Sequence, residues 1–471
     1  MDKTYPRKKI AIIGGGIAGS SIAMYLSQYD VDLEVFEQGT SLVNGPPICH
    51  LHAGGNLYRE ISDEQCIALL TESIETVRYF PHTVNIRPTV IAVPKNDPGQ
   101  PEELLPRLKL LQQTYEHLIQ QNGANEVFGP SEEYFKTYNK EDLEKIAQCT
   151  PTPTPESLDD WLIAFANQVD LNELKYPIAL VQEYGLSVFR MAATAQLTLS
   201  SLDNLTLHFS SSVNKLSRTE NKKEQSVWKL SYLYSEQQYA CEFDYVINSA
   251  GFKTGIIDDL AKKHRKRLVE FKAAYVAQWD KPQFGKWPEI IFHGERGTPQ
   301  GMAQFTPYPN GYFQLHGMTE EITLFKGGLS GSCDLSAQPK LPEAFNKKLT
   351  TGWDVLLQTE RTQRAINHLS QFMPDFIEAT PAGKPLYGAQ QIPGGDVTLR
   401  AANISYTEDG YFRAEIVKAS SAIECAKEIK RVIKLTNKVS IIPEFKLLDI
   451  EKEAERLATE RGYPIELAQV Y

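Results

Sequence analysis

The residues that could do chemistry begin at position 14. Gly14-Gly15-Gly16-Ile17-Ala18-Gly19 fits the pattern G-x-G-x-x-G, and the acid Glu37 lies 37 − 19 = 18 residues beyond the last glycine. These are the parts of a dinucleotide-binding turn. Gly14 permits a tight turn, Gly16 lets the backbone approach a pyrophosphate, and Gly19 lets a helix pack closely on a strand. The N–H groups at the helix start, around Ile17 and Ala18, and the positive end of the helix dipole suit phosphate oxygens. Glu37, with Gln38 beside it, stands where a carboxylate accepts hydrogen bonds from ribose hydroxyls. A carboxylate there opposes the 2′-phosphate of NADP.

Such a turn needs a strand before it and a helix after it. Lys9-Ile10-Ala11-Ile12-Ile13 is an apolar run suited to a strand buried on both faces. Ala18, Ile22, Ala23 and Leu26 recur at the spacing of a helix face that meets a sheet. Residues 33–37 then alternate as a second strand ending on Glu37. Beyond this opening the chain does not continue as regular strand–helix units. Helices are expected over 61–79, with Ser62 and Gln65 as a capping box, and over 101–121, with Leu104, Leu105, Leu108, Leu111, Tyr115 and Leu118 on one face. Further helices are expected over 141–147 and 155–169, and a strand over 88–93. The Thr-Pro alternation of 150–155 reads as a stiff connector. A strand over 178–183, a helix over 188–202 and a strand over 205–209 come next. Two longer strands flank a charged tip at 219–226, the second ending in Tyr245-Val246-Ile247-Asn248-Ser249-Ala250-Gly251.

At that last segment the chain resembles the D-amino-acid-oxidase-like FAD-dependent oxidoreductases. In that superfamily a late strand ending in V-x-x-A/S-A-G returns to the cofactor. Two further segments fit. Cys49-His50-Leu51-His52-Ala53-Gly54-Gly55-Asn56-Leu57-Tyr58-Arg59 looks like the loop that lies along the isoalloxazine, and its wording is most similar to malate:quinone and 2-hydroxyglutarate oxidoreductases. Lys418-Ala419-Ser420-Ser421-Ala422, opening a helix to residue 434, resembles the small-residue helix start that points at the flavin pyrimidine ring. The order of elements matches to about Val432. The chain departs from the family at Glu408-Asp409-Gly410-Tyr411-Phe412-Arg413, which replaces a glycine-rich final loop.

The resemblance implies FAD as cofactor, with Gly14, Gly16, Ile17, Ala18, Gly19, Glu37, Gln38, Ala250, Gly251, Ser420 and Ser421 around it. It implies an α/β fold: a discontinuous Rossmann-type FAD-binding domain and an α+β substrate domain built on an antiparallel sheet. Strands of that sheet are expected over 268–279, 290–292, 303–306 and 312–316, with Asn310-Gly311 as a hairpin turn. The flavin itself accepts the hydride, so the protein has to hold a C–H bond over the ring and clamp the rest of the substrate. His50 and His52 are candidates for a base, or for stabilising charge on the reduced ring. Arg59, Arg190 and Arg413 are candidates to clamp a carboxylate, and His316 is a weaker candidate at a strand end. Lys418 would add positive charge at the flavin's N1–C2=O edge. The expected catalytic set is His50, His52, Arg59 and Lys418; no metal is expected.

Composition bounds the rest. The chain has 471 residues, with 49 Lys plus Arg against 59 Asp plus Glu, a net charge of −10, which argues against nucleic acid as a partner. Six scattered cysteines without a C-x-x-C pair point away from disulfide frameworks and zinc sites, towards a reducing cytoplasm. No run is long enough to span a bilayer, and three glycines interrupt the stretch that could pass for a signal peptide. The basic run His264-Arg265-Lys266-Arg267 leaves peripheral membrane contact open, although a solvated loop accounts for it. The expected division is an FAD-binding domain from 1–87, 170–262 and 380–436, a substrate domain from 88–169 and 263–379, and a C-terminal tail over 437–471. The expected function is two-electron oxidation of a small carboxylate-bearing amine or amino acid. The alternatives are a 2-hydroxy-acid oxidoreductase passing electrons to a quinone, and a flavoprotein that assembles or modifies a partner protein through its tail.

Overall fold

The structure is a computed structural model and describes residues 7–46, 51, 54–55, 61–221 and 226–471. Strand β1 (Lys8–Ile13), helix α1 (Ile17–Leu26) and strand β2 (Val31–Phe36) form the expected opening, with Ile10 opposite Leu33 and Ile12 opposite Val35 in a parallel pair. Ile10 and Ile12 enter the core beneath α1, while Ala11 and Ile13 enter a second core on the other face. That two-sided burial explains the unbroken apolar run. The late strand Tyr245–Asn248 pairs in parallel with β1, and Leu205–His208 pairs in parallel with β2. Tyr411–Ala414 follows Tyr245–Asn248 in the sheet, and Ile404–Thr407 closes it antiparallel at the edge. The carboxyl ends of β1, β2 and Tyr245–Asn248 therefore open at one rim, where such sheets bind ligands. Helix α1 packs on Val188–Ser200 and on Ala422–Val432.

Three expectations about this half are corrected. The strand after the charged tip does not run on to Gly251. Ser226–Tyr234 turns at Ser235 and Glu236, both at positive φ, into a further strand, Gln237–Phe243. Two consecutive positive-φ residues make a tight hairpin, but Ser-Glu is not the Asn-Gly or Asp-Gly pair that announces one. The strand Leu174–Val181 does not lie in the nucleotide sheet: it pairs antiparallel with Thr89–Pro94 in a separate ten-stranded sheet. The strand Leu386–Pro393 joins that same sheet, antiparallel to Arg267–Gln278. Leu174–Val181 is buried on both faces, Ile178 and Leu180 towards one core, Ala179 and Val181 towards the other, so its composition does not tell one sheet from another.

The ten-stranded sheet holds the expected substrate-side strands, with Ala303–Pro307 and Tyr312–Gly317 paired around Asn310 and Gly311, both at positive φ. It is mixed rather than purely antiparallel, because Glu289–Phe292 runs parallel to Thr89–Pro94. Its two faces differ. Tyr275, Phe305 and Leu315 face a core shared with helices Leu158–Gln168 and Val355–Leu369. Ala274, Val276 and Ile91 face the other way and merge with the core of the nucleotide half. This second face is the one that looks towards the nucleotide sheet.

Helix α2 (Asp63–Tyr79) begins at Ser62, whose hydroxyl accepts from the Gln65 N–H at 3.4 Å. Gln65 does not complete the expected box. Its side-chain oxygen accepts from the backbone N–H groups of Arg400 and Ala401 at 2.7 and 3.1 Å, tying α2 to that loop. The tail is also built into the fold. Ile450, Ala454, Leu457 and Ala458 of helix Leu447–Glu460 are buried, with the helix packed on Val188–Ser200, and Arg461 donates to the carbonyls of Leu42 and Val43. The apolar face of the tail helix is therefore buried against the chain itself. No helix among the described residues is long and apolar enough to cross a membrane.

Candidate cofactor and substrate site

The turn after β1 is built by contact rather than by flexibility. Gly14 sits at φ +101°, and a Cβ there would lie 2.5 Å from the carbonyl oxygen of Ser249. At Gly19 a Cβ would lie 1.9 Å from the oxygen of Gly14. The Ser249 hydroxyl donates to the carbonyls of Ile13 and Gly14, clamping the end of strand Tyr245–Asn248 onto the turn. Gly16 differs. A Cβ there would meet nothing within 4 Å, and Gly16 caps α1 without a side-chain hydrogen bond. The open space at Gly16 thus lies at the positive end of the helix, whose first N–H groups have no partner within the helix.

Glu37 is buried at 8% exposure, and its two oxygens accept from the N–H groups of Gly15 and Gly39, each at 2.7 Å. A carboxylate has about four lone-pair positions, so two remain for ribose hydroxyls. Gln38 is exposed and accepts from Lys253 at 3.0 Å. Ala250 is half-buried, and Gly251 stands at φ +58° with open space where a side chain would be.

Across from this turn, Lys418 precedes a short turn, Ala419–Ser421, which leads into helix Ala422–Val432. Ser421 donates to Glu72 of α2 at 2.5 Å, and Thr76 donates to the carbonyl of Ser420 at 3.0 Å. The Ser420 hydroxyl is buried without a hydrogen-bond partner. Burial raises the Glu72 carboxyl to about 7, against the Ser421 hydrogen bond, with Glu424 and Glu75 adding to the rise. Burial lowers Lys418 well below the usual lysine range, and the neighbouring charges of Arg400 and Lys272 lower it further.

Those neighbours were not singled out from the sequence. Glu270 and Lys272 alternate along strand Arg267–Gln278 with apolar residues, on the face that carries Ala274 and Val276. Lys272 pairs with Glu270 at 2.7 Å and donates to Gln390 at 3.3 Å; Arg296 also pairs with Glu270. Gln390 in turn donates to the carbonyl of Val417, directly before Lys418. Burial would raise the Glu270 carboxyl, but Lys272 and Arg296 hold it below its ordinary value. Burial lowers Lys272, Glu270 opposes that, and Arg296 and Arg400 add to it. Lys272 and Arg296 thus share Glu270, and Arg400 and Lys418 stand close enough for their charges to bear on this pair and on one another. Glu270 and Lys272 within an otherwise apolar stretch of the strand were the available sequence signal; Arg296 and Arg400 lie in loops and carried none.

Several expected site residues stand elsewhere. Arg190 is buried and donates to the carbonyls of His82 and Val84 and to Asn85, holding the segment before Thr89–Pro94. Arg413 is buried against Asp258 at 2.7 Å, so neither arginine is a carboxylate clamp. The basic run is largely paired within the fold: Arg267 is fully buried on Asp258, Arg265 meets Glu415 at 3.0 Å, and His264 bonds to the carbonyl of Cys333. His316 is buried on the inner sheet face. His50, His52 and Arg59 lie outside the described residues.

A mostly parallel sheet with a glycine turn and buried acid at its carboxyl rim, facing a second sheet that carries buried charges, fits a dinucleotide-binding protein. The chain belongs to the family of FAD dependent oxidoreductases (DAO), whose model matches residues 9–396. FAD is therefore its cofactor, and the residues present fit it: open space at Gly16 and Gly251, and an unpartnered hydroxyl on Ser420. When bound, the flavin supplies the two-electron acceptor.

No curated protein matches the chain by sequence. Solved structures that resemble it include a modified fructosyl peptide oxidase from Aspergillus nidulans, at 13% identity and TM-score 0.57, covering 91% of both chains. L-alpha-glycerophosphate oxidase from Mycoplasma pneumoniae, with FAD bound, is 13% identical at TM-score 0.56, covering 94% of this chain and 99% of that one. L-amino acid deaminase from Proteus vulgaris is 11% identical at TM-score 0.56, covering 93% and 97%. At these identities the likeness shows the fold alone.

Proposed function

We propose that the protein oxidises a small carboxylate-bearing amine or amino acid, and that Lys272, Arg296, Arg400 and Lys418 hold the substrate's carboxylate. The observation that carries this reading is the buried Lys418, on which the charges of Lys272 and Arg400 bear, beside the Lys272–Glu270–Arg296 pairing on the sheet face that looks towards the nucleotide half. Crowded, partly desolvated cations repel one another, and an anion placed among them relieves that repulsion and gains charge-assisted hydrogen bonds. Because burial lowers Lys272 and Lys418, an arriving carboxylate would also draw protons onto them. An L-amino acid deaminase and two glycine oxidases among similar folds agree with this class of substrate.

In this reading Gly16, Ile17, Ala18 and Gly19 hold the pyrophosphate, Glu37 and Gln38 the ribose end, and Ala250 and Gly251 the approach to the nucleotide. Ser420, Ser421 and Lys418 face the flavin edge, where a helix N-terminus and a cation favour negative charge on the reduced ring. The division into an FAD-binding and a substrate domain is also part of the proposal, with Leu174–Val181 and Leu386–Pro393 assigned to the substrate side. Stopped-flow bleaching of the flavin without oxygen tests it. Amino acids should bleach the visible absorbance of the oxidised flavin and their decarboxylated amines should not. Bleaching by 2-hydroxy acids alone would replace this reading with the quinone-linked one.

A further inference from the structure

Glu72 joins the helix start at Ser420 and Ser421 to an open surface. On one side it lines a groove of about 390 Å³, together with Glu75, Arg78, Glu424 and Lys427. On the other side Ser421 donates to its carboxylate at 2.5 Å. One turn further along α2, Thr76 donates to the carbonyl of Ser420 at 3.0 Å. Two successive turns of α2 thus hold the two serines, and one of the two contacts can ionise. The Ser420 hydroxyl between them is 2% exposed and has no hydrogen-bond partner among the described residues.

The charges packed around Glu72 favour its neutral form. On α2, Glu75 adds negative charge, while Arg78 turns to Asn125 and donates to it at 2.9 Å. On helix Ala422–Val432, Glu424 adds more negative charge, while Lys427 pairs with Glu75 and, at 3.4 Å, with Glu424. The Cys425 thiol is pushed well above its ordinary range by burial first and then by Glu72. Helix Leu105–Gln121 contributes the apolar Leu118 to the groove. Burial, with the two acids, raises the Glu72 carboxyl to about 7, and the Ser421 hydrogen bond opposes that rise. A proton on Glu72 therefore exchanges near neutral pH, with the groove as its route to water.

Ionised, Glu72 puts a full negative charge behind the helix start. That charge opposes the positive end of helix Ala422–Val432 and any negative charge gathered in front of it. Protonated, Glu72 leaves the positive end intact and keeps its contact with Ser421. Linkage makes the effect mutual: negative charge in front of the helix start raises the affinity of Glu72 for a proton by the same factor.

We propose that Glu72 is a positioning residue that couples charge on the reduced flavin to a proton taken from the groove. The inference rests on the placement of Ser420 and Ser421 at the flavin edge. A hydride brings two electrons and one proton to the ring and leaves one negative charge there. Glu72 then binds one proton from water, which offsets that charge from beneath the helix start. The proton returns to the groove when the flavin gives up its electrons.

Sulfite, whose adduct also puts negative charge on the ring, is the probe, with the full chain and FAD bound. A coupling of about tenfold, within the usual range for linked sites, sets the size of the effect. Glu72→Gln cannot ionise, so it should bind sulfite like the parent at pH 6 and about fivefold more tightly at pH 8. Sulfite's own protonation affects both proteins alike. Ser421→Ala removes the bond that favours the ionised carboxylate, so the step in the parent's pH profile should move to higher pH, and this variant serves should the glutamine not fold. An affinity ratio that is the same at pH 6 and 8, weaker binding by Glu72→Gln at pH 8, or an unmoved step in Ser421→Ala overturns the proposal. Lys418→Met separates it from the flavin placement. If Lys418→Met weakens sulfite binding while Glu72→Gln follows the parent at every pH, the placement stands and the coupling falls. If neither variant departs from the parent, both fall.

Discussion

Replacing Glu72 by Gln should make the protein more stable at pH 8 and leave it unchanged near pH 4. Glu72 lies on α2 under the helix start that carries Ser420 and Ser421, and Ser421 donates to it at 2.5 Å. Burial first, then Glu424 and Glu75, raises its carboxyl from 4.5 to about 7. The sign follows from proton counts. Below about pH 4.5 the folded and unfolded chains both hold this proton, and the group contributes nothing. Between 4.5 and about 7 the folded chain keeps the proton that the unfolded chain has lost, so stability falls as pH rises. At about 1.4 kcal/mol per pH unit, the gap amounts to about 3 kcal/mol. Glu72 keeps some accessible surface, and solvent screening reduces the expected loss to about 2 kcal/mol. Glutamine keeps an oxygen for the Ser421 hydroxyl but cannot ionise. Urea unfolding of parent and Glu72→Gln at pH 4, 6, 7 and 8 should show the two coinciding at pH 4 and diverging as pH rises, with the variant ahead by about 2 kcal/mol at pH 8. A constant offset across that range, or a less stable variant at pH 8, would refute the reasoning.

Two further outcomes concern the cofactor. Gly16→Ala should fold with an unchanged circular dichroism spectrum yet lose FAD, because its methyl enters space that only the pyrophosphate uses. Gly19→Ala should instead damage the fold, since its Cβ would lie 1.9 Å from the Gly14 carbonyl oxygen; a well-folded, yellow Gly19→Ala would count against the described turn. Lys418→Met removes a charge held near Arg400 and Lys272, and should lower the flavin reduction potential and weaken sulfite adduct formation. If both match the parent, Lys418 is not at the flavin.

The nucleotide turn was legible because its logic is local. A tight turn, a close helix and an acid at the end of the next strand each demand a residue type at a set distance along the chain, and Gly14, Gly19 and Glu37 supply them. Apolar alternation also located most strands and helices, because burial imposes periods of 2 and 3.6 on any chain. The hairpin at Ser235-Glu236 escaped because residues other than Asn and Gly can adopt positive φ when the flanking strands pair well. Arg190 and Arg413 misled for a related reason: an arginine reads alike in sequence whether it meets a substrate, backbone carbonyls or a buried acid, and only its neighbours decide.

By itself, then, the sequence determined the opening strand–helix–strand, the glycine turn with its acid, and through them the class of cofactor, since these depend on residues close along the chain. Tertiary structure alone decided that Leu174–Val181 and Leu386–Pro393 belong to the ten-stranded sheet, that the tail packs on Val188–Ser200, and that Lys272 and Arg296 meet at Glu270 with Arg400 and Lys418 nearby. Strand pairing and charge clustering join residues more than a hundred positions apart, as Lys272 and Gln390 are. Their energy depends on burial and neighbours, which no local spacing records.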